Sequence, residues 1–251
     1  MIATVFRLEV RRSRALVGWM ALLGVAYAGT MSLFYPRMVE SSQALQEWLK
    51  VFPKEMVAAF GMEAGLTDPG TFFNVYIFSM LWPIMAAIVG ILLATRPVAA
   101  DFERGFLELS LSTRVSRRTY LLASIAMQIV AMIMLAVLTV ATILVVGPLI
   151  GYPWDAARFS MAALLLVMSG WAIAAVTLLL AVLTLSRAAA GGIVAGALVL
   201  MYLLHAVAAI EPSLDGLSYL SVFHYLDPVD AIDTGAVPAP VSYTHLTLPT
   251  N

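Results

Sequence analysis

The residues able to do chemistry are few, and most crowd into one stretch. Asp101 to Arg118, DFERGFLELSLSTRVSRR, sets Asp101, Glu103 and Glu108 among Arg104, Arg114, Arg117 and Arg118. Carboxylates with a histidine are the usual means of activating water, so Glu103, Glu108 and His205 define one reading, an intramembrane hydrolase. It needs two of these groups to converge, yet the charge pattern puts the acids at one side of the chain's apolar mass and His205 at the other. His205 has no second ligand nearby in its helix, which favours an interfacial histidine over a metal site. The phosphate-cradling pattern GxxxxGK[ST] is absent, as are HExxH and GxSxG. With Cys 0, thiolate metal sites, cysteine nucleophiles and disulfides are excluded. The chemistry left to this stretch is binding. Leu107, Leu109, Leu111 and Val115 are interleaved with the charges, so a short helix here is both adhesive and charged. Gly105 offers a bend, and Ser112 with Thr113 is positioned to cap the helix that follows. The plainer reading is a solvated loop that obeys the positive-inside bias.

What must position that stretch is membrane. Hydrophobic residues make up 62% of the chain and charged ones 12%, about half the charge of a soluble domain and more apolar material than its core would hide. Five stretches exceed the roughly 20 residues a helix needs to cross a hydrocarbon core. They run near Ala15 to Tyr35, Thr71 to Thr95, Tyr120 to Gly147, Phe159 to Ser186 and Ala188 to Ile210, and none contains Asp, Glu, Lys or Arg. The expected fold is an all-α polytopic membrane protein. An ion-coupled carrier places an ionisable side chain at membrane depth; these spans have none, so energy for movement should enter from outside the bilayer.

Smaller features refine this. Pro83 inside the second span predicts a kink that either lines a cavity or serves packing. The third and fourth spans are longer than a bilayer of about 30 Å requires, so they tilt or project. Gln128 is the strongly polar side chain within the third. Gly192 and Gly196, four apart in the fifth, make a candidate packing or dimer seam. Seam and composition also suit a third class of function, a non-transporting membrane scaffold.

Arginines set the orientation. Arg7, Arg11, Arg12 and Arg14 at the start, Arg96 and the 101–118 arginines in the second connection, and Arg187 in the fourth mark the cytoplasmic side. The amino terminus is therefore expected inside, with Met1 to Arg14 an amphipathic helix lying in the inner interface. Ala26-Tyr27-Ala28 imitates a signal-peptide cleavage site, but the apolar run continues past it to Tyr35, which favours an uncleaved span. Outside the membrane, Ser42 to Val51 and Pro53 to Phe60 read as two short helices. One transmembrane unit is expected over residues 1–240. Residues 241–251, VSYTHLTLPTN, are abruptly polar and resemble a translated sequencing-library adapter, so they are read as a non-native tail.

The charged stretch resembles the first cytoplasmic loop of ABC-2-type transporter permeases, whose pattern is close to AxEExxGTLELLLSTPVSR. Here it reads AADFERGFLELSLSTRVSR from Ala99 to Arg117, with Phe102, Phe106 and Arg114 departing from the pattern. Phe52-Pro53-Lys54-Glu55 to Ala59-Phe60-Gly61, and Phe223 to Pro228 with Gly235, are similar to family patterns flanking the second and last spans. The resemblance implies six spans, the last lost at the adapter junction, in a multi-pass protein of the plasma or inner membrane. It implies an exporter permease that pairs with a second permease, identical or related, and with cytoplasmic ATP-binding cassette ATPases. ATP and Mg would then belong to the ATPase, with no cofactor and no catalytic role in this chain. Glu103, Gly105, Glu108 and Arg117 become contacts of a coupling helix, and Met1 to Arg14 a connecting helix.

Overall fold

The computed structural model describes residues 2–43, 47, 51, 67–105, 116–210 and 212–225. Among them every regular element is helical, and five helices are long and apolar enough to cross a membrane. These are α1 (Ile2–Glu40), α2 (Pro69–Glu103), α3 (Arg117–Leu149), α4 (Ala156–Thr184) and α5 (Arg187–Ile210). A 3-10 segment, Pro212–Leu220, and a short helix, α6 (Val222–Tyr225), follow.

Local chemistry sets the ends. Asp68 caps α2, its carboxylate accepting from the Thr71 amide at 2.8 Å with Pro69 in the first turn, where a missing N–H costs nothing. The cap of α3 is Ser116, which accepts from the Thr119 amide at 3.1 Å. This corrects the expectation that Ser112 and Thr113 would cap it; those two lie outside the described residues. Asp155 caps α4 by accepting from the Ala157 amide at 2.9 Å. α4 closes on Leu185 in the left-handed region, φ 49°, and α5 starts two residues later, forming the tight hairpin expected around Arg187.

Helix α2 is not uniform. It contains two wide π-helical stretches, Asn74–Leu81 and Arg96–Ala100, the first ending just before Pro83 and the second containing Pro97. Proline removes one backbone donor and crowds the turn before it, and a widened turn accommodates both. The buried Trp82 beside Pro83 donates its indole N–H to Ser169 of α4 at 3.0 Å.

The expected first span and the amino-terminal segment are one continuous helix. Its buried stripe, Val5, Glu9, Ser13, Val17, Gly24, Ala28, Ser32 and Tyr35, advances by four or three to seven residues and faces protein along the whole length. α1 packs mainly on α3. Gly24 sets their approach: a Cβ there would lie 2.9 Å from Thr139 Oγ1 and 3.1 Å from Met85 Cε. α2 is the most enclosed span and α5 the least.

Aromatic rings close the end away from Arg117. Tyr35 meets Trp154 at 4.9 Å and Phe72 at 5.1 Å between ring centroids, both edge-on, and Phe73 meets Phe159 at 5.5 Å. Tyr35 also donates its hydroxyl to the Thr67 carbonyl at 2.6 Å. The two short helices expected over Ser42–Val51 and Pro53–Phe60 lie for the most part outside the described residues.

Candidate functional site

The opposite, basic end of the bundle holds a compact polar cluster. Asp101 stands in the last turn of α2 with 1% of its surface exposed. Its carboxylate accepts two parallel hydrogen bonds from the Arg12 guanidinium of α1, Nη2 to Oδ1 at 2.8 Å and Nη1 to Oδ2 at 2.9 Å. The Tyr120 hydroxyl, from the first turn of α3, donates to the same Oδ2. A carboxylate removed from water must be matched by donors and a countercharge, and this one is matched by both.

Two further contacts widen the cluster. Glu9, 3% exposed and one turn before Ser13 on α1, lies 3.4 Å from Arg12 Nη1. Arg96 of α2 donates to Ser13 Oγ at 2.9 Å. Two acids and two guanidiniums therefore sit together at one end of three helices. Val5, Phe6, Tyr120 and Ala123 form the apolar patch beside them.

Immediately beyond Asp101 the chain turns. The Gly105 amide donates to the Phe102 carbonyl at 3.0 Å, with φ +70° at Gly105, a conformation that glycine adopts without a side-chain clash. Glu103, exposed, accepts the Arg187 backbone N–H at 2.8 Å and so satisfies an otherwise free donor at the start of α5. Arg117 is exposed at the start of α3, while Glu108 lies outside the described residues. Of the four positions carried from the resemblance, Glu103, Gly105 and Arg117 thus bracket the same end of the bundle. Gly192 and Gly196 are on open faces of α5, where a Cβ would meet no atom within 4 Å, whereas Gly191 approaches Ile91 Cγ2 at 3.0 Å.

Glu9, Arg12, Asp101 and Tyr120 were not nominated as a site by the sequence. The available signal was the four-residue spacing of Val5, Glu9, Ser13 and Val17, which places an acid on the inward face of a basic helix.

This arrangement ties the ends of α1, α2 and α3 to one another. Asp101 is already held by an ion pair and a hydroxyl bond, three of the roughly four acceptor positions of a carboxylate. The hydrolase reading meets a further obstacle in Glu103. Its Oε1 touches the first residue of α5, while His205 lies eighteen residues along that helix, roughly 27 Å away at 1.5 Å per residue. Among the described residues no group of three or more His, Cys, Asp or Glu is arranged to hold a metal ion.

Among the described residues, five helices are long and apolar enough to cross a membrane, and the buried charged side chains Glu9 and Asp101 lie together at one end of them. Residues 6–239 match the family described as ABC-2 family transporter protein, and the chain belongs to that family as a permease subunit. Comparison with curated proteins and with solved structures gave no match.

Proposed function

We propose that this permease subunit belongs to an ATP-driven exporter, with its amino terminus and the Asp101–Arg118 loop on the cytoplasmic side of the plasma or inner membrane. The loop seats in a cytoplasmic ATP-binding cassette ATPase, which binds ATP and Mg, and a second permease subunit completes the pathway. Glu103, Gly105, Glu108 and Arg117 act in transmission at that contact. The open Gly192 and Gly196 faces suit the seam with the second permease, since small residues let helix backbones come close.

One observation carries this reading: Asp101, at the root of the loop, is bonded at once to Arg12 of α1 and Tyr120 of α3. A push on the loop is therefore delivered to three helices together. ATP-driven closure shifts the bundle only if the ATPase grips one arrangement better than another, and a rigid root allows that difference to be felt. The arginine distribution supports the cytoplasmic placement, because positive side chains mark that side.

The test is purification of the full chain in detergent together with the product of any ATPase gene beside its own. Expected is a stable complex whose ATP hydrolysis changes when the permease is present. The charge reversal Glu108→Lys with Arg117→Glu should leave the chain inserted and abolish that change. An unaltered ATPase response in the double variant, or no complex at all, contradicts the proposal.

A further inference from the structure

Arg7, Arg11 and Arg14 of α1 are exposed and recur at four- and three-residue intervals, a stripe on the face opposite Val5, Glu9 and Ser13, which meet the bundle. None of the three forms an ion pair among the described residues. Glu9, the one acid between Met1 and Val39, is buried on the other face against Arg12. Gly18, the next position along the stripe, has open space around it, since a Cβ there would meet no atom within 4 Å.

The level of this stripe in the bundle is unusual. α1 and α3 run side by side in one register: Val5 packs with Tyr120, and nineteen residues further along each helix Gly24 faces Thr139. Arg14 is nine residues past Val5, whereas Arg118, the last charge before the apolar body of α3, is two before Tyr120. Arg14 therefore stands about 16 Å deeper along the bundle than Arg118. Level with Arg7 and with Ala15, the outer surface of α3 is Leu122 and Val130, 54% and 47% exposed. α4 is equally apolar there, with Leu179 and Leu183 exposed on either side of Ala181, which packs on Ala99. A tilt of about 20° shifts neighbouring helices about 10 Å apart by only ~3 Å relative to the bilayer plane. One depth thus presents guanidinium groups on α1 and hydrocarbon on α3 and α4.

We infer that the outer face of α1 holds anionic phospholipid, whose phosphates are drawn inward to Arg7, Arg11 and Arg14. The bilayer surface dips along α1, while hydrocarbon continues to Tyr120 on α3. Lipid-facing arginine at acyl depth is costly, and local thinning that brings headgroups to it relieves the cost. The planar guanidinium matches phosphate oxygens in pairs. The lipid is anionic because three positive charges face outward with no acid beside them, and a zwitterionic headgroup brings an ammonium that they repel. Trp19, 68% exposed and five residues past Arg14, supplies a ring suited to the boundary between headgroups and acyl chains. A second copy is a poor occupant, because two-fold docking on this face sets the same arginines against one another.

Two measurements on the full chain test the inference. In native mass spectrometry of delipidated protein in a neutral detergent, dioleoylphosphatidylglycerol should bind about tenfold more tightly than dioleoylphosphatidylcholine. The triple variant Arg7→Gln, Arg11→Gln, Arg14→Gln should abolish that preference, whereas Arg104→Gln, Arg118→Gln, Arg187→Gln, which removes the same charge at the same end, should keep most of it. Equal binding of the two lipids by the unmodified chain, or equal loss in both triple variants, would overturn the inference. So would displacement of the bound lipid by excess inorganic phosphate, which would make the stripe a site for a soluble anion.

The second measurement keeps every arginine and decides the matter if the first triple variant fails to fold. Nitroxide labels on Ala15→Cys and Val130→Cys, two positions at one level, are compared in liposomes containing phosphatidylglycerol. Expected is relaxation of the label at position 15 chiefly by a water-soluble nickel chelate and of the label at position 130 chiefly by oxygen. The same response at both positions would mean a boundary that does not dip, and would overturn the inference. A disulfide between Gly18→Cys copies would also overturn it, by placing a second subunit on the stripe.

Discussion

Arg12 and Asp101 meet through paired hydrogen bonds of 2.8 and 2.9 Å between the start of α1 and the end of α2. Planar guanidinium and planar carboxylate match each other's spacing, so the pair fixes both distance and orientation of the two helix ends. Asp101 is almost fully enclosed and Arg12 is partly open to solvent, with its side chain 30% exposed. The acid is thus the member that most needs its partner.

Removing Arg12 should therefore cost far more than the exposed half of the pair suggests. Arg12→Ala strands the Asp101 carboxylate, and breaking a buried pair from one side typically costs about 3–5 kcal/mol. Arg12→Met combined with Asp101→Leu removes both charges and should cost less than Arg12→Ala alone. Thermal denaturation of the three proteins in one detergent checks the order, and a double variant less stable than Arg12→Ala contradicts the pairing.

Tyr120 contributes the remaining donor to Asp101. Tyr120→Phe keeps the ring in its patch with Val5 and Ala123 while deleting the hydroxyl. A loss of about 1.5–3 kcal/mol is expected for a hydrogen bond to a charged acceptor. In the Asp101→Leu background the same change should be close to neutral. Measuring the two losses gives the coupling directly, and equal losses would place the hydroxyl's contribution elsewhere.

Two glycines should respond in opposite ways to alanine. At Gly147 an added Cβ would fall 2.2 Å from Trp154 Nε1 and 2.5 Å from the Tyr152 carbonyl, so the turn that carries the aromatic cluster must move. A cost above about 2 kcal/mol is expected, as for overpacking in a tight core. Gly192→Ala meets open space and gains helix propensity, worth up to about 1 kcal/mol. Melting curves of the isolated subunit separate these outcomes. If Gly192→Ala leaves the subunit's melt unharmed but weakens self-association, the residue works between copies.

Much of the fold was legible because a bilayer demands so little of a sequence. Long uncharged runs gave the five spans from Ala15 onward, since backbone in hydrocarbon must bond to itself and helices do so locally. The bend at Gly105 and the hairpin at Arg187 were equally local signals. What composition does not carry is pairing across distance. Arg12 sits among arginines that already satisfy the positive-inside pattern, and nothing in that run marks it as the one that reaches Asp101. Likewise Glu9 reads as a flank residue until α1 is seen to continue inward on the face of Val5, Ser13 and Val17. Ser112, Thr113 and Ser116 offer the same hydroxyl chemistry for the α3 cap, and it is the backbone at Ser116, extended at ψ 151°, that selects that residue.

The central claim is that the loop following Asp101 is where an ATPase takes hold, and the absence of cysteine from the sequence makes a direct test simple. Ser110→Cys in the loop and Ser41→Cys at the opposite end are each tagged with a maleimide–diazirine cross-linker in membranes that contain the full chain and its candidate ATPase. Expected is an adduct with the ATPase from Ser110→Cys, changing in yield when ATP is added, and none from Ser41→Cys. An adduct from Ser41→Cys alone, or labelling of Ser110→Cys in intact cells by a reagent that does not cross the membrane, would contradict it.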